Sequence, residues 1–431
     1  MAIKRIEGFA ALALLACGCV MARPPSSEPL PWGGDPPVRP AMARAAAISA
    51  LGRQMFFDKG LSASGSVACA TCHDAASHFG PPNGLSVQAG GVRLDQQGTR
   101  AAPNLTYAAG TPFFSEHFYE SDDDGNEAID QGPTGGRTWD GRVNRARDQA
   151  GIPLLSPIEM ANADESQVVA HVSRAPYAAE MRRLFGEAIF GDTARAFAAI
   201  AEALEAFQQT PELFSPFTSK YDAFLRGQVQ LSPQEARGLE VYMNADKGNC
   251  VRCHKNQMTP SGKLPVFTDS GFAAIAVPRN PDIPANRDPN YFDLGACGPS
   301  RHDLADRPEF CGLFKAPSLR NVATRKAFYH NGVFHSLEVA VAFYATRDTN
   351  PERWYPLGAG GTPQKFNDLP EQYRKNIDVE PPFDRQRGDT PAMSEQDIKD
   401  VVAYLNTLTD GFVPPAKTRQ AAAAGARHVE Q

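Results

Sequence analysis

Two short stretches, CATCH ending at His73 and CVRCH ending at His254, constrain this 431-residue chain more than any other feature. In the Cys-x-x-Cys-His pattern, two cysteines form thioethers with a c-type haem and the adjacent histidine binds the iron from the proximal side. A single copy of this pattern could instead be a redox-active cysteine pair or half of a zinc site. The presence of two copies disfavours these alternatives to haem attachment. Because the motifs lie 181 positions apart, the sequence predicts two cytochrome c-like domains, each with one covalently bound haem c. The expected haem-binding residues are Cys69, Cys72, His73, Cys250, Cys253 and His254.

Helical periodicity dominates the rest of the chain. Residues 194–207 place apolar side chains on one helical face, and the capping boxes "SPQE" at Ser232 and "SEQD" at Ser394 open two further helices. Strand-like alternation is scarce and residues 113–136 read as an acidic loop, so the predicted fold is mainly α with long loops. The predicted boundaries are a signal peptide at 1–22, a proline-rich linker at 23–45, cytochrome c-like domains at 46–225 and 226–413, and a disordered tail at 414–431.

The charge and the first residues indicate an exported globular protein. A net charge of -6 and a pI near 5.9 argue against nucleic acid as a partner. Two basic residues precede the short apolar run FAALALLA, which is typical of a signal peptide. Cleavage after Ala22 and a lipoprotein signal that would attach a lipid anchor at Cys17 are both open. Since disulfides persist outside the cytoplasm, Cys297 and Cys311, which flank a 13-residue segment, are predicted to pair.

The residues leave open which group binds the second iron opposite His254. No methionine occurs between Met258 and Met393; Met258 lies too close to His254 in the chain, and Met393 is expected at the exposed start of the last helix. Sulfur ligation is therefore disfavoured. The remaining candidates are His302, His330, His335 or a tyrosine, unless the position is open.

The chain resembles the bacterial di-haem cytochrome c peroxidase and MauG superfamily from about residue 51 to residue 408. The likeness rests on "LGRQMFFDKGLSASGSVACATCHD", "TWDGR", "SPIEM", "FKAPSLRNVA" and "YHNGVFHSLE", in family order. It implies that Trp139 relays electrons between the haems and that Gln149 and Glu159 line the peroxide side of the first haem. It also implies that Arg142 contacts the cofactor and that His330 lies near the second haem in a structural role.

Three departures from the family pattern modify these expectations. Where typical peroxidases of the family carry a histidine that blocks the first iron, "SVQAGG" has Ala89. The calcium position of the family has Ala101, Arg325 and Ala327, which puts calcium in doubt. The methionine that caps the second haem falls on Tyr344, which is the MauG arrangement, so Tyr344 is expected to be the second iron's other ligand.

The resemblance implies a periplasmic di-haem c peroxidase that reduces hydrogen peroxide at the open haem of its N-terminal, peroxidatic domain. Glu159 would move the proton. The haem of the C-terminal domain, with Tyr344 and His254 as its iron ligands, would relay or store oxidising equivalents. Electrons would come from a small periplasmic cytochrome or a cupredoxin. The alternative is a MauG-like enzyme that oxidises residues such as tryptophan on a partner protein. A pure electron-transfer cytochrome is disfavoured by the open first iron and Glu159.

Overall fold

The computed structural model describes residues 38–120 and 129–415, and its contacts divide the chain into Met1–Ala43 and Arg44–Gln431. The predicted signal peptide, Cys17, the acidic loop tip and nearly all of the tail lie outside the described residues. The α-helices are α1 Val38–Phe57, α2 Cys69–Cys72, α3 Ala146–Leu155, α4 Glu165–Arg174, α5 Ala178–Phe185, α6 Thr193–Gln208, α7 Pro211–Phe214, α8 Lys220–Leu225, α9 Pro233–Met243, α10 Leu337–Thr346 and α11 Glu395–Asn406. α1 begins at Val38, inside the range predicted as a proline-rich linker, and the linker boundary itself stays a prediction.

The predicted mainly α fold is confirmed, because sheet is scarce among the described residues. The strands are β1 Ala89–Gly90, β2 Gln96–Gln97, β3 Tyr119–Glu120, β4 Ile129–Asp130, β5 Phe272–Ala273 and β6 Phe314–Lys315. They form three separate antiparallel pairs, β1 with β2, β3 with β4 and β5 with β6. The β3–β4 pair lies inside the segment predicted to be an acidic loop. No helix in the described ranges has the length and apolarity needed to cross a membrane.

Local hydrogen bonds explain where the predicted helices begin. At the start of α9 the Ser232 hydroxyl accepts from the Glu235 amide at 3.3 Å, and the Glu235 carboxylate accepts from the Ser232 amide at 2.7 Å. Ser394 and Asp397 make the same reciprocal pair at the start of α11. These contacts satisfy amide groups that the first helical turn leaves without partners.

Two helix crossings are built in the same way, each with a glycine at the point of contact. A Cβ on Gly52 of α1 would lie 1.8 Å from the carbonyl oxygen of Ala203 in α6. A Cβ on Gly238 of α9 would lie 1.9 Å from the carbonyl oxygen of Asp400 in α11. Only glycine permits such close approach of two backbones. In each case the glycine-bearing helix directly precedes a Cys-x-x-Cys-His motif.

Two large apolar cores surround these crossings. The first is formed by side chains between Ile48 and Phe214, and the second by side chains between Tyr221 and Leu408. Met393 belongs to the second core and is only 2% exposed, so the expectation that it lies at an exposed helix start is wrong. The residue directly precedes α11, and its side chain packs into the second core. The proposed boundary between domains near residue 225 stays a prediction.

A third, smaller apolar cluster surrounds Cys297 and Cys311, the pair expected to be linked. Their sulfur atoms are 2.02 Å apart, and the two Cα atoms are 4.9 Å apart. Both cysteines are buried with Leu304 and Phe310. The link closes the loop that carries Arg301, whose guanidinium reaches the backbone of Asp140 at 2.8 Å.

Candidate functional site

The first motif presents a histidine whose ring is oriented by the backbone. α2 begins at Cys69, and the His73 amide donates to the Cys69 carbonyl at 2.9 Å. Nδ1 of His73 lies 3.2 Å from the carbonyl oxygen of Phe79, so it serves as the donor nitrogen. Nε2 is then the unprotonated nitrogen, which is the form that binds a metal.

The second motif repeats this arrangement with a tighter first turn. Cys250–Arg252 form a 3₁₀ turn, and the His254 amide donates to the Cys250 carbonyl at 2.8 Å. Nδ1 of His254 lies 3.0 Å from the carbonyl oxygen of Phe267. Burial lowers the pKa of both rings, to about 4 for His73, which keeps the imidazoles neutral and able to ligate iron.

The four motif cysteines suit thioether attachment better than redox or zinc chemistry. They are half-buried and free of disulfide bonds. Burial raises the pKa of Cys69 and Cys250 to about 12, and that of Cys72 and Cys253 to about 11, whereas redox-active pairs need a lowered thiol pKa. In the described ranges, no three His, Cys, Asp or Glu side chains are grouped to hold a metal ion.

Two cations, Arg137 and Lys315, form no ion pair with a carboxylate among the described residues, which suits binding of the carboxylates of haem propionates. The Nε atom of Arg137 is buried and has no hydrogen-bond partner among the described residues. Burial and the nearby Arg137 charge lower the pKa of Lys315 to about 7, although Asp140 acts in the opposite direction. Lys315 donates to the carbonyl of Gly136. No local sequence pattern indicates this pair, because Arg137 and Lys315 are far apart in the chain and are brought together by the fold.

Glu159 and Ala89 meet beside the first motif. The Gly91 amide donates to the Glu159 carbonyl at 2.9 Å, which ties the segment containing Ala89 to the turn that carries Glu159. The Glu159 carboxyl is solvent-accessible, but desolvation by the surrounding protein raises its pKa against the opposing effects of Ser156 and Arg142. The same carboxylate acts electrostatically on Cys69 and Cys72, which places it close to that motif. A raised pKa makes the carboxyl a stronger base for accepting a proton, and the protonated carboxyl can return that proton as a general acid.

Arg142 lies near the Glu159 carboxyl, and Gln149 lies on the helix that precedes Glu159 in the chain. Gln149 is half-buried near the start of α3, the helix that leads to Glu159. Nη1 of Arg142 pairs with the Asp140 carboxylate at 2.8 Å. The positive charge of Arg142 favours the ionised form of Glu159.

Trp139 joins two segments that are more than 200 residues apart in the chain. Its Nε1 donates to the Ala101 carbonyl at 2.8 Å, and its own carbonyl accepts from the Lys315 amide at 2.9 Å. The Ala101 amide in turn donates to the His330 carbonyl at 2.7 Å. Trp139 is therefore connected through one residue to the segment that carries His330.

An ion cluster that sequence reasoning missed anchors the Trp139 loop. Arg100 binds Asp140 through Nη1 at 2.6 Å and Asp293 through Nε and Nη2 at 2.6 and 2.7 Å. Desolvation would raise the pKa of Asp140, but Arg100, Arg142 and Thr138 hold it at about 2. These partners are far apart in sequence, so no local pattern could reveal them.

His330 and Tyr344 occupy different positions around the second motif. The His330 ring is buried and stacks on Phe314, with ring centroids 3.5 Å apart and planes 8° apart, a packing role. Tyr344 is on α10, half-buried, and stacks on Phe383 with centroids 5.3 Å apart. Burial raises its pKa, and the adjacent Cys253 and Cys250 raise it further, so the structure brings Tyr344 close to the second motif.

The calcium position does not fit a calcium ion. Ala101 supplies no side-chain oxygen there. The Arg325 guanidinium donates to the Ala327 carbonyl through Nε and to the Ala102 carbonyl through Nη2, both at 3.2 Å. The carbonyl oxygens that would bind a cation are thus already bound by one.

A mainly helical fold with two Cys-x-x-Cys-His motifs is typical of c-type haem proteins, and comparison with known proteins identifies the family. A family model described as di-haem cytochrome c peroxidase matches residues 46–230. The chain is similar to the methylamine utilization protein MauG of Paracoccus denitrificans, with 35% identity over 383 residues, covering 86% of this chain and 90% of that protein. It is also similar to the cytochrome c551 peroxidase of Nitrosomonas europaea, with 26% identity over 330 residues, covering 76% of this chain and 79% of that protein. Among solved structures, the diheme peroxidase BthA from Burkholderia thailandensis matches with a TM-score of 0.75 and 39% identity, covering 84% of this chain and 86% of that chain.

The chain belongs to the di-haem cytochrome c peroxidase and MauG family. It is an enzyme, an oxidoreductase of the di-haem peroxidase type that acts on hydrogen peroxide, and its family implies two haem c cofactors. Relatives named MauG and relatives named peroxidase both align along most of the chain, so membership alone does not decide between the two activities.

Proposed function

We propose that this chain is an exported di-haem c peroxidase that reduces hydrogen peroxide at the haem held by Cys69, Cys72 and His73. The observation that carries the proposal is the meeting of Glu159 and Ala89 beside the first motif, because it provides a proton-transfer group and no histidine at position 89. When bound, haem supplies redox-active iron that accepts oxidising equivalents from peroxide. The export signal stays a prediction from the sequence.

In this proposal the residues divide the work of peroxide reduction. Glu159 takes the proton from the near oxygen of hydrogen peroxide and delivers it to the far oxygen, which leaves as water. Two electrons from a small cytochrome or a cupredoxin, with two protons, complete the reduction to a second water. Trp139 provides the electron path between the two sites, and Gln149 and Arg142 orient and polarise the carboxyl. His254 and Tyr344 would hold the second iron.

The test is rapid mixing of the fully oxidised enzyme with hydrogen peroxide, followed by absorbance. The wild type should react without prior reduction, because Ala89 cannot close the first iron. The matched variant Ala89→His should react only after one-electron reduction, since an imidazole at this position can bind the iron. A wild type that needs prior reduction would show that another residue blocks the first iron and would contradict the proposal.

A second candidate function, MauG-like oxidation of residues on a partner protein, is favoured by the position of Tyr344 beside the second motif. A phenolate ligand would lower the potential of the second haem relative to a methionine and so help it to store oxidising equivalents. Tyr344→Phe should then change the electron paramagnetic resonance signal of the second haem from low-spin to high-spin or to that of a new ligand. An unchanged spectrum would identify Tyr344 as a core aromatic and remove the support for this function.

A further inference from the structure

Arg325 is a positive charge without a carboxylate partner. It follows the 3₁₀ turn Val322–Thr324, and no acidic side chain among the described residues forms an ion pair with it. Its guanidinium is bonded to two backbone carbonyls, Ala102 and Ala327, each at 3.2 Å. Desolvation lowers the pKa of Arg325 to about 10, so the side chain still carries its charge at neutral pH. A charge held in this way without a counter-ion is costly to bury and is rarely retained without a use.

The guanidinium lies next to the group that orients the first proximal histidine. Ala102 and Pro103 lead to Leu105, whose amide donates to the Phe79 carbonyl at 3.2 Å. The same Phe79 carbonyl lies 3.2 Å from Nδ1 of His73. The segment that orients the His73 imidazole is therefore fixed by a cation from the distant part of the chain.

The second motif has an acidic residue beside the segment that orients its histidine. Asp269 follows Phe267, whose carbonyl lies 3.0 Å from Nδ1 of His254, and the Asp269 amide donates to the Cys253 carbonyl at 2.9 Å. The two motifs thus share the same carbonyl-oriented imidazole but differ in the side chain beside the orienting segment, an arginine at the first and an aspartate at the second. A positive charge beside an iron ligand favours the reduced iron, which carries one positive charge fewer, and a negative charge favours the oxidised iron.

We propose that Arg325 is a fixed cation that raises the reduction potential of the first haem, so that oxidising equivalents generated there pass preferentially to the second haem. Arg325 acts through the Ala102–Pro103 segment and the His73 ring and touches no substrate, so it is a positioning and tuning residue. The inference rests on the proposed function, in that each motif holds a haem. The Arg325 guanidinium also explains why calcium does not fit here, because it already supplies a positive charge at the Ala102 and Ala327 carbonyls.

The test is a spectroelectrochemical titration of both haems in the full-length holoenzyme. In Arg325→Gln the reduction equilibrium of the first haem should shift about tenfold towards the oxidised form, which corresponds to 59 mV for a one-electron couple. The second haem should move much less. Arg325→Lys keeps the charge and should retain most of the wild-type potential. Arg287→Gln, at an exposed arginine, should change neither haem.

The outcomes separate this inference from the proposed function. Two c-type haems with unchanged potentials in a folded Arg325→Gln variant would overturn the role of Arg325 and leave the two-haem enzyme intact. An equal shift in Arg325→Lys would show that shape rather than charge matters and would also overturn it. A chelator should leave the wild-type potentials unchanged. A chelator effect as large as that of Arg325→Gln would assign the tuning to a bound metal instead. Absence of one haem would refute the proposed function itself.

Discussion

Replacing Glu159 by glutamine should slow the reaction of the oxidised enzyme with hydrogen peroxide by about 100-fold, the lower end of the effect of losing a general acid–base group. This corresponds to about 2.7 kcal/mol of activation free energy. The substitution conserves size, and the backbone of residue 159 stays held by the Gly91 amide at 2.9 Å and by its own bond to the Ser156 carbonyl at 3.0 Å. Because Arg142 and Gln149 are unchanged, only proton transfer is lost, which is why we expect the lower end of the range.

The pH dependence of the same reaction provides an independent check. Glu159 must be ionised to accept the first proton, and desolvation places its pKa above its ordinary value of 4.5. The wild-type rate should therefore rise with pH through a midpoint above 4.5, and Glu159→Gln should lose this rise. The assay is stopped-flow absorbance at a series of pH values, with Glu187→Gln, an exposed glutamate, as the matched control. Equal rates in Glu159→Gln and wild type, or an identical pH profile, would refute the acid–base role.

Two further substitutions test the scaffold and the relay. Asp222→Asn should lower the free energy of unfolding by about 3–5 kcal/mol in denaturant titrations, because it leaves the Arg320 guanidinium, which like Asp222 is 0% exposed, without its carboxylate partner. The control Asp95→Asn, which removes an exposed ion pair, should cause no measurable loss. Equal stability of both variants would contradict this prediction. Trp139→Phe removes the indole bond to the Ala101 carbonyl and should slow the response of the second haem to peroxide by about tenfold or more, equivalent to about 1.4 kcal/mol, while the first haem reacts normally. Trp354→Phe, a tryptophan of the second core, should leave that transfer unchanged, and an equal effect of both variants would argue against a relay at Trp139.

Local sequence signals predicted those parts of the fold that depend on local interactions. The capping boxes at Ser232 and Ser394 predicted the starts of α9 and α11, because the contacts involved span three residues. The periodicity of residues 194–207 predicted α6, whose Ile200, Leu204 and Phe207 are buried. The burial of Met393 was not predictable from its place before a helix, since it depends on how α11 packs.

The candidate site likewise combines features that short sequence patterns indicate with contacts that only the tertiary fold creates. The two motifs and the positions of Glu159, Trp139 and Tyr344 could be proposed from short patterns and their family order. The contacts of Arg100 with Asp293 and of Arg325 with Ala102 could not, because each joins segments about 200 residues apart. Charges that the fold brings together in this way determine the electrostatics of the site, and only the structure reveals them.

The central claim is that each Cys-x-x-Cys-His motif holds one covalently attached haem. The most direct measurement is the intact mass of the denatured protein, together with its pyridine haemochrome spectrum. We expect two haem additions and a c-type spectrum, with one addition lost in Cys69→Ala/Cys72→Ala and the other lost in Cys250→Ala/Cys253→Ala. A single addition in the wild type would contradict the two-haem account, and no addition would contradict the assignment of these motifs altogether.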